Sequence, residues 1–122
     1  MEKIVGEKFD AAGFGEEEAC RFLKKNGLKI LHRNFRTKGG EIDIVARSDR
    51  MVIFVEVKTR TNTNYAKPED AVGFRKRENL KSAARSYIQE NPARDCEFRF
   101  DVISVTMTDS LKPNIEWIQN AF

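Results

Sequence analysis

The sequence predicts an α/β fold in which helices pack against one β-sheet. An apolar hairpin pattern centred on Asp49–Arg50 predicts two adjacent strands. Apolar residues at three- and four-residue spacing predict a helix on either side of this hairpin, over residues 8–26 and 68–91. Further strand patterns complete the order helix, three strands, helix, strand, strand. Because helices and strands both have an apolar face to cover, we expect the helices to lie on the sheet.

The first helix is predicted over Lys8–Asn26, where alanine and leucine residues share one face. Gly27 follows the basic last turn of this helix, as a C-cap glycine does. The next stretch, Leu28–Arg36, is interpreted as a strand, and the Lys-Gly-Gly content of Thr37–Gly40 indicates a turn. The chain therefore enters the hairpin through a strand and a tight turn.

The hairpin itself has the strongest strand patterns in the chain. Its strands are predicted over Glu41–Arg47 and Met51–Arg60, joined at Ser48–Arg50. The polar and irregular stretch Thr61–Lys67 is interpreted as a loop that leads away from the second strand.

The second helix is predicted to open at Pro68, with Glu69 and Asp70 favoured by their charge in its first turn. Gly73 marks the point at which this helix would break, and Asn91–Pro92 ends it. The residues expected on its apolar stripe are Ala71, Phe74, Leu80, Ala83, Ala84, Tyr87 and Ile88.

Two more strands are predicted near the C-terminus, over Glu97–Val105 and Ile115–Ile118. The length of 122 residues suits one domain, so a single domain over residues 1–122 is expected. Hydrophobic residues make up 40% and charged residues 34% of the chain, which is typical of a globular protein rather than a disordered one.

Composition also narrows the location and the kind of metal site. No apolar run approaches the ~20 residues that a membrane helix needs. The N-terminal segment is acidic where a secretion signal needs a basic lead, so we expect a cytoplasmic protein without membrane partners. A single histidine, His32, and two distant cysteines, Cys20 and Cys96, argue against a zinc site.

The net charge of +3 is unevenly distributed. Arg21–Gly40 contains seven Lys or Arg residues and no acid, and Lys58–Arg85 contains eight basic residues against three acidic ones. These two segments flank the hairpin. Such a distribution suits a polyanion that approaches a site between them, although each segment alone is also explained by solvated helix faces.

The hairpin places acidic residues next to one another. With a turn centred on Asp49–Arg50, paired residues have numbers that sum to 99, so Asp43 would lie opposite Glu56 and Glu41 opposite Lys58. Strand alternation then puts these four side chains on one side of the hairpin. The aliphatic residues on the other side, expected to face the core, are Ile42, Ile44, Ile53, Val55 and Val57.

Two opposed carboxylates destabilise a strand pair unless a cation lies between them. Mg²⁺ prefers oxygen ligands and commonly uses one or two protein carboxylates, so Asp43 and Glu56 are candidate metal ligands. Lys58 would then reach a metal-bound water or a phosphate oxygen, which phosphodiester hydrolysis requires. The alternative is a cross-strand ion pair between Glu41 and Lys58, with Asp43 and Glu56 as solvated surface acids.

Asp43 followed by Glu56-Val57-Lys58 on the next strand resembles the PD-(D/E)XK nuclease superfamily. The chain is more closely similar to the YraN-like family of small bacterial predicted endonucleases. One departure is Ile42, which stands where the superfamily nominally has proline. The segments that carry the resemblance are Gly15-Glu16 with Ala19, Asn34-Phe35-Arg36, Gly40–Asp43, Phe54–Arg60, Ala71-Val72 with Lys76, Arg99–Val102 and Ala121-Phe122.

This resemblance implies a restriction-endonuclease-like αβββαβ core, with a mixed central sheet flanked by helices. It also implies a Mg²⁺- or Mn²⁺-dependent endonuclease that acts on DNA, similar to archaeal Holliday-junction resolvases, which cut branched DNA as homodimers. In that pattern Asp43, Glu56 and the Val57 carbonyl hold the metal with help from Glu16, and Lys58 is the catalytic lysine.

Glu16 is chosen over Glu17 and Glu18 because its helical spacing to Ala19 and Leu23 directs it towards the sheet. Each of the three glutamates is otherwise explained as a solvated helix residue.

Four basic residues, Arg36, Lys38, Arg60 and Lys76, are assigned to contact with nucleic-acid phosphates, and a solvated surface role is the alternative for each. A nucleic-acid- or partner-binding module that keeps the fold without turnover remains the alternative to the enzyme. Asp101 is expected to form a stabilising pair with Arg99 or a neighbour. Nothing in the sequence indicates readout of bases, so any specificity would come from the shape of the nucleic acid.

Overall fold

The structure is a computed structural model that describes residues 10–61, 73–92, 95–108 and 112–122. These residues form two helices and five strands. Neither described helix is both long and apolar enough to cross a membrane. The elements, in chain order, are α1 (Ala11–Lys25), β1 (Lys29–Thr37), β2 (Gly40–Ser48), β3 (Met51–Arg60), α2 (Phe74–Glu90), β4 (Glu97–Thr106) and β5 (Asn114–Ile118).

The strands form one mixed sheet in the order β1-β2-β3-β4-β5. The three neighbouring pairs β1–β2, β2–β3 and β4–β5 are antiparallel. Strands β3 and β4 are parallel, because the chain between them crosses the sheet through α2. This arrangement confirms the predicted α/β class and the restriction-endonuclease-like αβββαβ core, with β5 added at one edge.

Both faces of the sheet are covered, each by one helix. One apolar cluster lies under α1 and includes Ala19, Leu23, Ile44 and Val55, and the other lies under α2 and includes Phe54. Central strands that are buried on both faces are continuously apolar rather than alternating. For this reason the prediction of a hairpin with one core face and one polar face is wrong. The residues of the second cluster are Ile42, Val45, Val52, Phe54, Leu80, Ala83, Ala84, Tyr87 and Val102.

Helix α1 begins and ends with hydrogen bonds that its sequence explains. The Asp10 side chain accepts from the Gly13 amide at 3.0 Å, so the helix begins after Asp10, and the predicted start at Lys8 lies outside the described residues. At the other end Gly27 has φ +86°, and the Leu28 amide donates to the Leu23 carbonyl at 3.0 Å. The predicted C-cap glycine is therefore confirmed.

Helix α2 begins at Phe74, after an extended Gly73. The predicted start at Pro68, its acidic first turn and most of the loop Thr61–Lys67 lie outside the described residues. The prediction that Phe74 belongs to the apolar stripe is wrong, since 79% of its surface is exposed. At 100° per residue, Phe74 lies about 120° around the helix from the buried Leu80 and points away from the sheet.

The β2–β3 hairpin has the predicted register, but only over part of its length. Pairing runs from Ser48–Met51 to Ile44–Val55, and the residue numbers in each pair sum to 99. Beyond Ile44–Val55 the strands part: β2 stays paired with β1 as far as Gly40, and β3 stays paired with β4 as far as Arg60. We call this opening the sheet fork. The expected pairings of Asp43 with Glu56 and of Glu41 with Lys58 are therefore wrong.

A left-handed residue on β1 lies opposite the change of side along β2. Asn34 has φ +54°, a conformation that asparagine tolerates better than most residues, and it lies between the paired positions Arg33–Ile44 and Phe35–Ile42. Opposite Asn34, the alternation of side chains between the two faces of β2 is broken. Ile42 lies in the cluster under α2 whereas Ile44 lies under α1, so the prediction that both share one face is wrong.

Asp101 on β4 anchors the C-terminal segment. Its fully buried carboxylate accepts two hydrogen bonds from Arg99, each at 2.8 Å, one from the Trp117 indole at 2.8 Å and one from the Asn120 amide at 2.9 Å. The expected stabilising pair with Arg99 is confirmed. Because all four donors belong to β4, β5 and the C-terminal segment, this acid holds these parts of the chain together and has a structural role.

Candidate functional site

Asp43 and Glu56 lie on opposite sides of the sheet fork. Both are buried, with 8% and 4% of their surfaces exposed. The Asp43 carboxylate accepts a hydrogen bond from the Val57 amide at 2.8 Å, which satisfies a group on β3 that has no β2 partner at this point. An amide and a carbonyl of one strand residue point to the same neighbour, so the Val57 carbonyl also faces the fork.

The Asp43 carboxyl is in an environment that disfavours its charge. Burial, and then the negative charge of Glu56, raise its pKa from 3.8 to about 7, against the lowering effect of the Val57 hydrogen bond. The charge of Glu16 raises the pKa of Asp43 further. A carboxyl group that holds its proton near neutral pH is typical of a functional site, because a cation or a proton must balance the pair.

Glu56 has one oxygen that is paired and one that is not. Its Oε2 lies 3.3 Å from the Lys58 ammonium and 3.4 Å from the Lys76 ammonium. Its Oε1 is buried and has no hydrogen-bond partner among the described residues. A buried unsatisfied carboxylate oxygen costs free energy, so it indicates a position for a ligand.

The contact between Lys76 and Glu56 was missed by sequence reasoning, which assigned Lys76 to phosphate contact alone. A signal was present in the helix, because Lys76 lies four residues before the buried Leu80 and only about 40° around the helix from it. The periodicity that directs Leu80 to the sheet therefore directs Lys76 to the sheet as well.

The first helix brings Glu16 towards the acid pair. Gly15 packs so closely on β3 that a Cβ atom there would overlap the Thr59 hydroxyl. Glu16 and Glu18 are both half-buried, but Glu18 pairs with Arg21 at 2.7 Å, and the exposed Glu17 pairs with Arg33 at 3.1 Å. Of the three glutamates, Glu16 is the one that is among the main causes of the raised pKa of Asp43.

The donor set suits a hard divalent cation better than zinc. Within the described residues no three or more His, Cys, Asp or Glu side chains are arranged to hold a metal, so Glu16 does not complete a cluster with Asp43 and Glu56. Mg²⁺ needs only one or two carboxylates and takes its other ligands from water, carbonyls or phosphate. Asp43, the free oxygen of Glu56 and the Val57 carbonyl fit that requirement.

A basic cleft of about 400 Å³ lies beside the acid pair, between the β1–β2 turn and α2. We call it the α2 cleft. Arg36, Lys38 and Lys76 line it together with Glu41, which pairs with Arg36 at 3.0 Å. Three of the four predicted phosphate contacts thus meet in one place. The fourth, Arg60, lies at the end of β3 and does not line this cleft.

The sequence matches a known family over most of its length. The model of the family described as "Uncharacterised protein family UPF0102" matches residues 15–105, which include most of α1, the hairpin, α2 and most of β4. The chain belongs to this family. The match confirms the YraN-like resemblance, and the UPF0102 segment contains Glu16, Asp43, Glu56, Lys58 and Lys76.

Curated UPF0102 relatives are similar along nearly the whole chain. A UPF0102 protein of Syntrophomonas wolfei is 48% identical over 109 residues, covering 89% of this chain and 94% of its own. One from Trichlorobacter lovleyi is 45% identical over 98% of this chain and 95% of its own. One from Caldicellulosiruptor saccharolyticus is 43% identical over 94% and 98%.

Proposed function

We propose that this UPF0102 protein is a Mg²⁺- or Mn²⁺-dependent endonuclease that hydrolyses phosphodiester bonds in DNA. The observation that carries the proposal is the acid pair at the sheet fork. Glu56 Oε1 is buried without a partner, and Asp43 beside it has a pKa raised to about 7. Two neighbouring buried acids, one of which has an unpartnered oxygen, are a suitable place for a divalent cation.

Each residue of the site has a task in this proposal. Asp43, Glu56 and the Val57 carbonyl would hold the cation, and Glu16 would add negative charge from α1. When bound, a divalent cation polarises a phosphate and favours hydroxide formation from water. The Lys58 ammonium, 3.3 Å from Glu56 Oε2, would offset the charge that develops on the phosphate or orient the attacking water.

The α2 cleft supports a nucleic-acid substrate. It gathers Arg36, Lys38 and Lys76 next to the acid pair, where they would contact phosphates on either side of the scissile bond. Such contacts position a strand but do not read its bases, so selection would depend on shape. We propose branched DNA as the preferred substrate, a homodimer as the acting form and the cytoplasm as its location, following the resemblance to junction-cutting enzymes.

A second candidate is a nucleic-acid- or partner-binding module without turnover. One observation favours it: both lysines neutralise Glu56 within the protein itself, so the acid pair is partly balanced without a metal. A protein of this class would bind nucleic acid through the α2 cleft with a strong dependence on salt, and it would not cut.

Cleavage of a labelled panel tests the proposal directly. A four-way junction, a flap, a duplex and a single strand are incubated with Mg²⁺ or Mn²⁺ and wild type, Asp43→Ala or Lys58→Ala. We expect metal-dependent cutting by the wild type and a loss of about 100-fold or more in each variant. Glu78→Ala and Lys81→Ala are matched controls, because these two residues pair with each other at 3.8 Å on α2 and do not touch the acid pair.

The outcomes separate the two candidates. Cutting that Asp43→Ala and Lys58→Ala abolish, and that both controls keep, supports the nuclease. Equal binding of DNA by all five proteins without any cutting would favour the binding module. A wild-type protein that neither cuts nor binds any member of the panel, even at low salt, would overturn both candidates.

A further inference from the structure

Lys76 takes part in two sites at the same time. Its ammonium lies 3.4 Å from Glu56 Oε2 in the acid pair. Its side chain also lines the α2 cleft, next to Arg36 and Lys38. Among the described residues that line the cleft, it is the one with an ion pair to the acid pair.

The acid pair already has two cations beside it in the protein as it stands. Asp43 and Glu56 supply two carboxyl groups, and Lys58 and Lys76 supply two ammonium groups around Glu56. A divalent cation on the same carboxylates would meet both ammonium groups, and like charges at short distance repel. Binding of the cation is therefore easier if one of the two lysines leaves.

Of the two lysines, Lys76 has the side chain that can more easily move away from Glu56. Its side chain is 42% exposed, against 28% for Lys58, and it projects from a helix at the border of the cleft. Phosphates in the α2 cleft would offer it a second anionic partner beside Arg36 and Lys38. An ammonium on a flexible four-carbon chain can exchange one such partner for another without a change of fold.

We propose that Lys76 exchanges Glu56 for a backbone phosphate when a nucleic-acid strand enters the α2 cleft, and that this exchange couples nucleic-acid binding to divalent-cation binding. The inference rests on the proposed function for the identity of the ligand. The strand draws Lys76 away from Glu56 and so removes a charge that competes with the cation. By thermodynamic linkage, the cation strengthens binding of the strand by the same factor.

The direction in which Lys76→Gln changes the affinity for the cation distinguishes two possible roles of Lys76. If Lys76 competes with the cation, Lys76→Gln binds the cation alone more tightly than the wild type does. If Lys76 only supported the structure of the acid pair, the same substitution would weaken cation binding or leave it unchanged. The same variant is expected to lose part of the coupling, because the phosphate that remains can still contact the cation directly.

Two titrations on the full chain measure both effects. Calorimetry gives the affinity for Ca²⁺, a hard cation with the same preference for oxygen ligands. Fluorescence anisotropy gives the affinity for a labelled four-way DNA junction with and without Ca²⁺, at matched ionic strength, and a gel checks that the DNA stays intact. Wild type is compared with Lys76→Gln and Lys76→Arg, with Lys81→Gln as the control from the same helix. Thermal melting of each variant establishes that it is folded.

We expect Ca²⁺ to strengthen junction binding about fivefold or more in the wild type and in Lys81→Gln, and clearly less in Lys76→Gln. Ca²⁺ alone should bind Lys76→Gln about fivefold more tightly than the wild type, whereas Lys76→Arg should resemble the wild type. If Lys76→Gln matches Lys81→Gln in both titrations while the wild type binds and cuts DNA, the exchange is overturned and the proposed function is not. A wild type that binds neither Ca²⁺ nor DNA would overturn both.

Discussion

Two buried aspartates in this sheet have opposite environments, and the contrast separates structure from function. Asp101 is fully buried and accepts four hydrogen bonds, from Arg99, Trp117 and Asn120. Asp43 is nearly as buried, accepts from the Val57 amide and has another acid beside it. A buried charge that is fully hydrogen-bonded stabilises a fold, whereas one that is left uncompensated is costly. The uncompensated acid is the one that a ligand can use.

The pKa of Asp43 predicts a pH dependence of stability. Because the carboxyl has a pKa of about 7 in the folded chain and an ordinary value of 3.8 when unfolded, the unfolded state loses this proton first as pH rises. The free energy of unfolding should therefore fall between about pH 4 and pH 7, by on the order of 4 kcal/mol from this group. Urea denaturation of metal-free wild type and Asp43→Asn across this range measures the difference.

The asparagine variant should lack this component, since it has no proton to lose and its carboxamide oxygen can still accept from the Val57 amide. Millimolar Mg²⁺ should restore the stability of the wild type above pH 7 but leave Asp43→Asn nearly unaffected. Parallel pH curves for the two proteins without metal would show that Asp43 titrates normally.

At the scale of the elements, the sequence predicts what depends on local pattern. The bounds of β3 agree residue for residue with the prediction, because Met51–Arg60 is a strongly apolar run between two polar loops. The register near the turn is also as predicted, since a tight turn fixes the pairs next to it. The sheet fork was not predictable from alternation, because alternation does not specify where β2 stops pairing with β3 and continues on β1 alone.

The candidate site, like the strands, was predictable only in part from the sequence. Asp43, Glu56 and Lys58 do meet, yet for a different reason from the one expected. They are gathered where two strands separate, and the predicted pairing of opposed residues is absent. The part played by Lys76 depends on how α2 sits over the sheet, which is a tertiary feature that neither spacing nor charge specifies alone.

The contact between the β1–β2 turn and α2 gives a prediction about this element pair. A Cβ atom on Gly40 would lie 2.5 Å from the backbone carbonyl oxygen of Asn79, and helix backbone cannot move aside cheaply. Gly40→Ala should therefore lower the free energy of unfolding by about 1–3 kcal/mol in urea denaturation. Gly73→Ala is the control, because no described residue lies within 4 Å of a Cβ atom at that position, and it should cost less than about 1 kcal/mol through poorer helix capping. Equal losses in the two variants would contradict the close contact.

At the scale of the whole molecule, the basic residues of the two predicted segments fall into two groups. Arg21 and Arg33 pair with glutamates of α1, so their charge is neutralised locally. Arg36 and Lys38 from the first segment and Lys76 from the second meet at the α2 cleft. The modest net charge of +3 thus conceals a cluster of three basic side chains at one place, of which Arg36 and Lys76 also pair there with Glu41 and Glu56.

This distribution predicts which basic residues control the salt dependence of DNA binding. Lys38→Ala should weaken binding to every member of a duplex and junction panel and reduce the slope of log affinity against log salt by about 1. Arg21→Ala should leave the slope unchanged, because Arg21 already pairs with Glu18 at 2.7 Å away from the cleft. Anisotropy titrations over a range of salt concentrations measure both slopes, and equal slopes for the two variants would count against the α2 cleft as the binding surface.

The sheet fork also divides the sheet beyond the hairpin into two arms, and the two acids lie on different arms. Asp43 lies on the arm formed by β1 and β2, whereas Glu56 lies on the arm formed by β3, β4 and β5, and the last pair that joins β2 to β3 is Ile44–Val55. Beyond that pair, the hydrogen bond from the Val57 amide to the Asp43 carboxylate, at 2.8 Å, joins the two arms. The β1–β2 turn, with Lys38 on it, lies at the far end of the β2 arm and rests on α2 at Gly40. In the proposed function, a nucleic-acid strand bound at this turn would therefore contact the same β-strand, β2, that carries Asp43 into the acid pair.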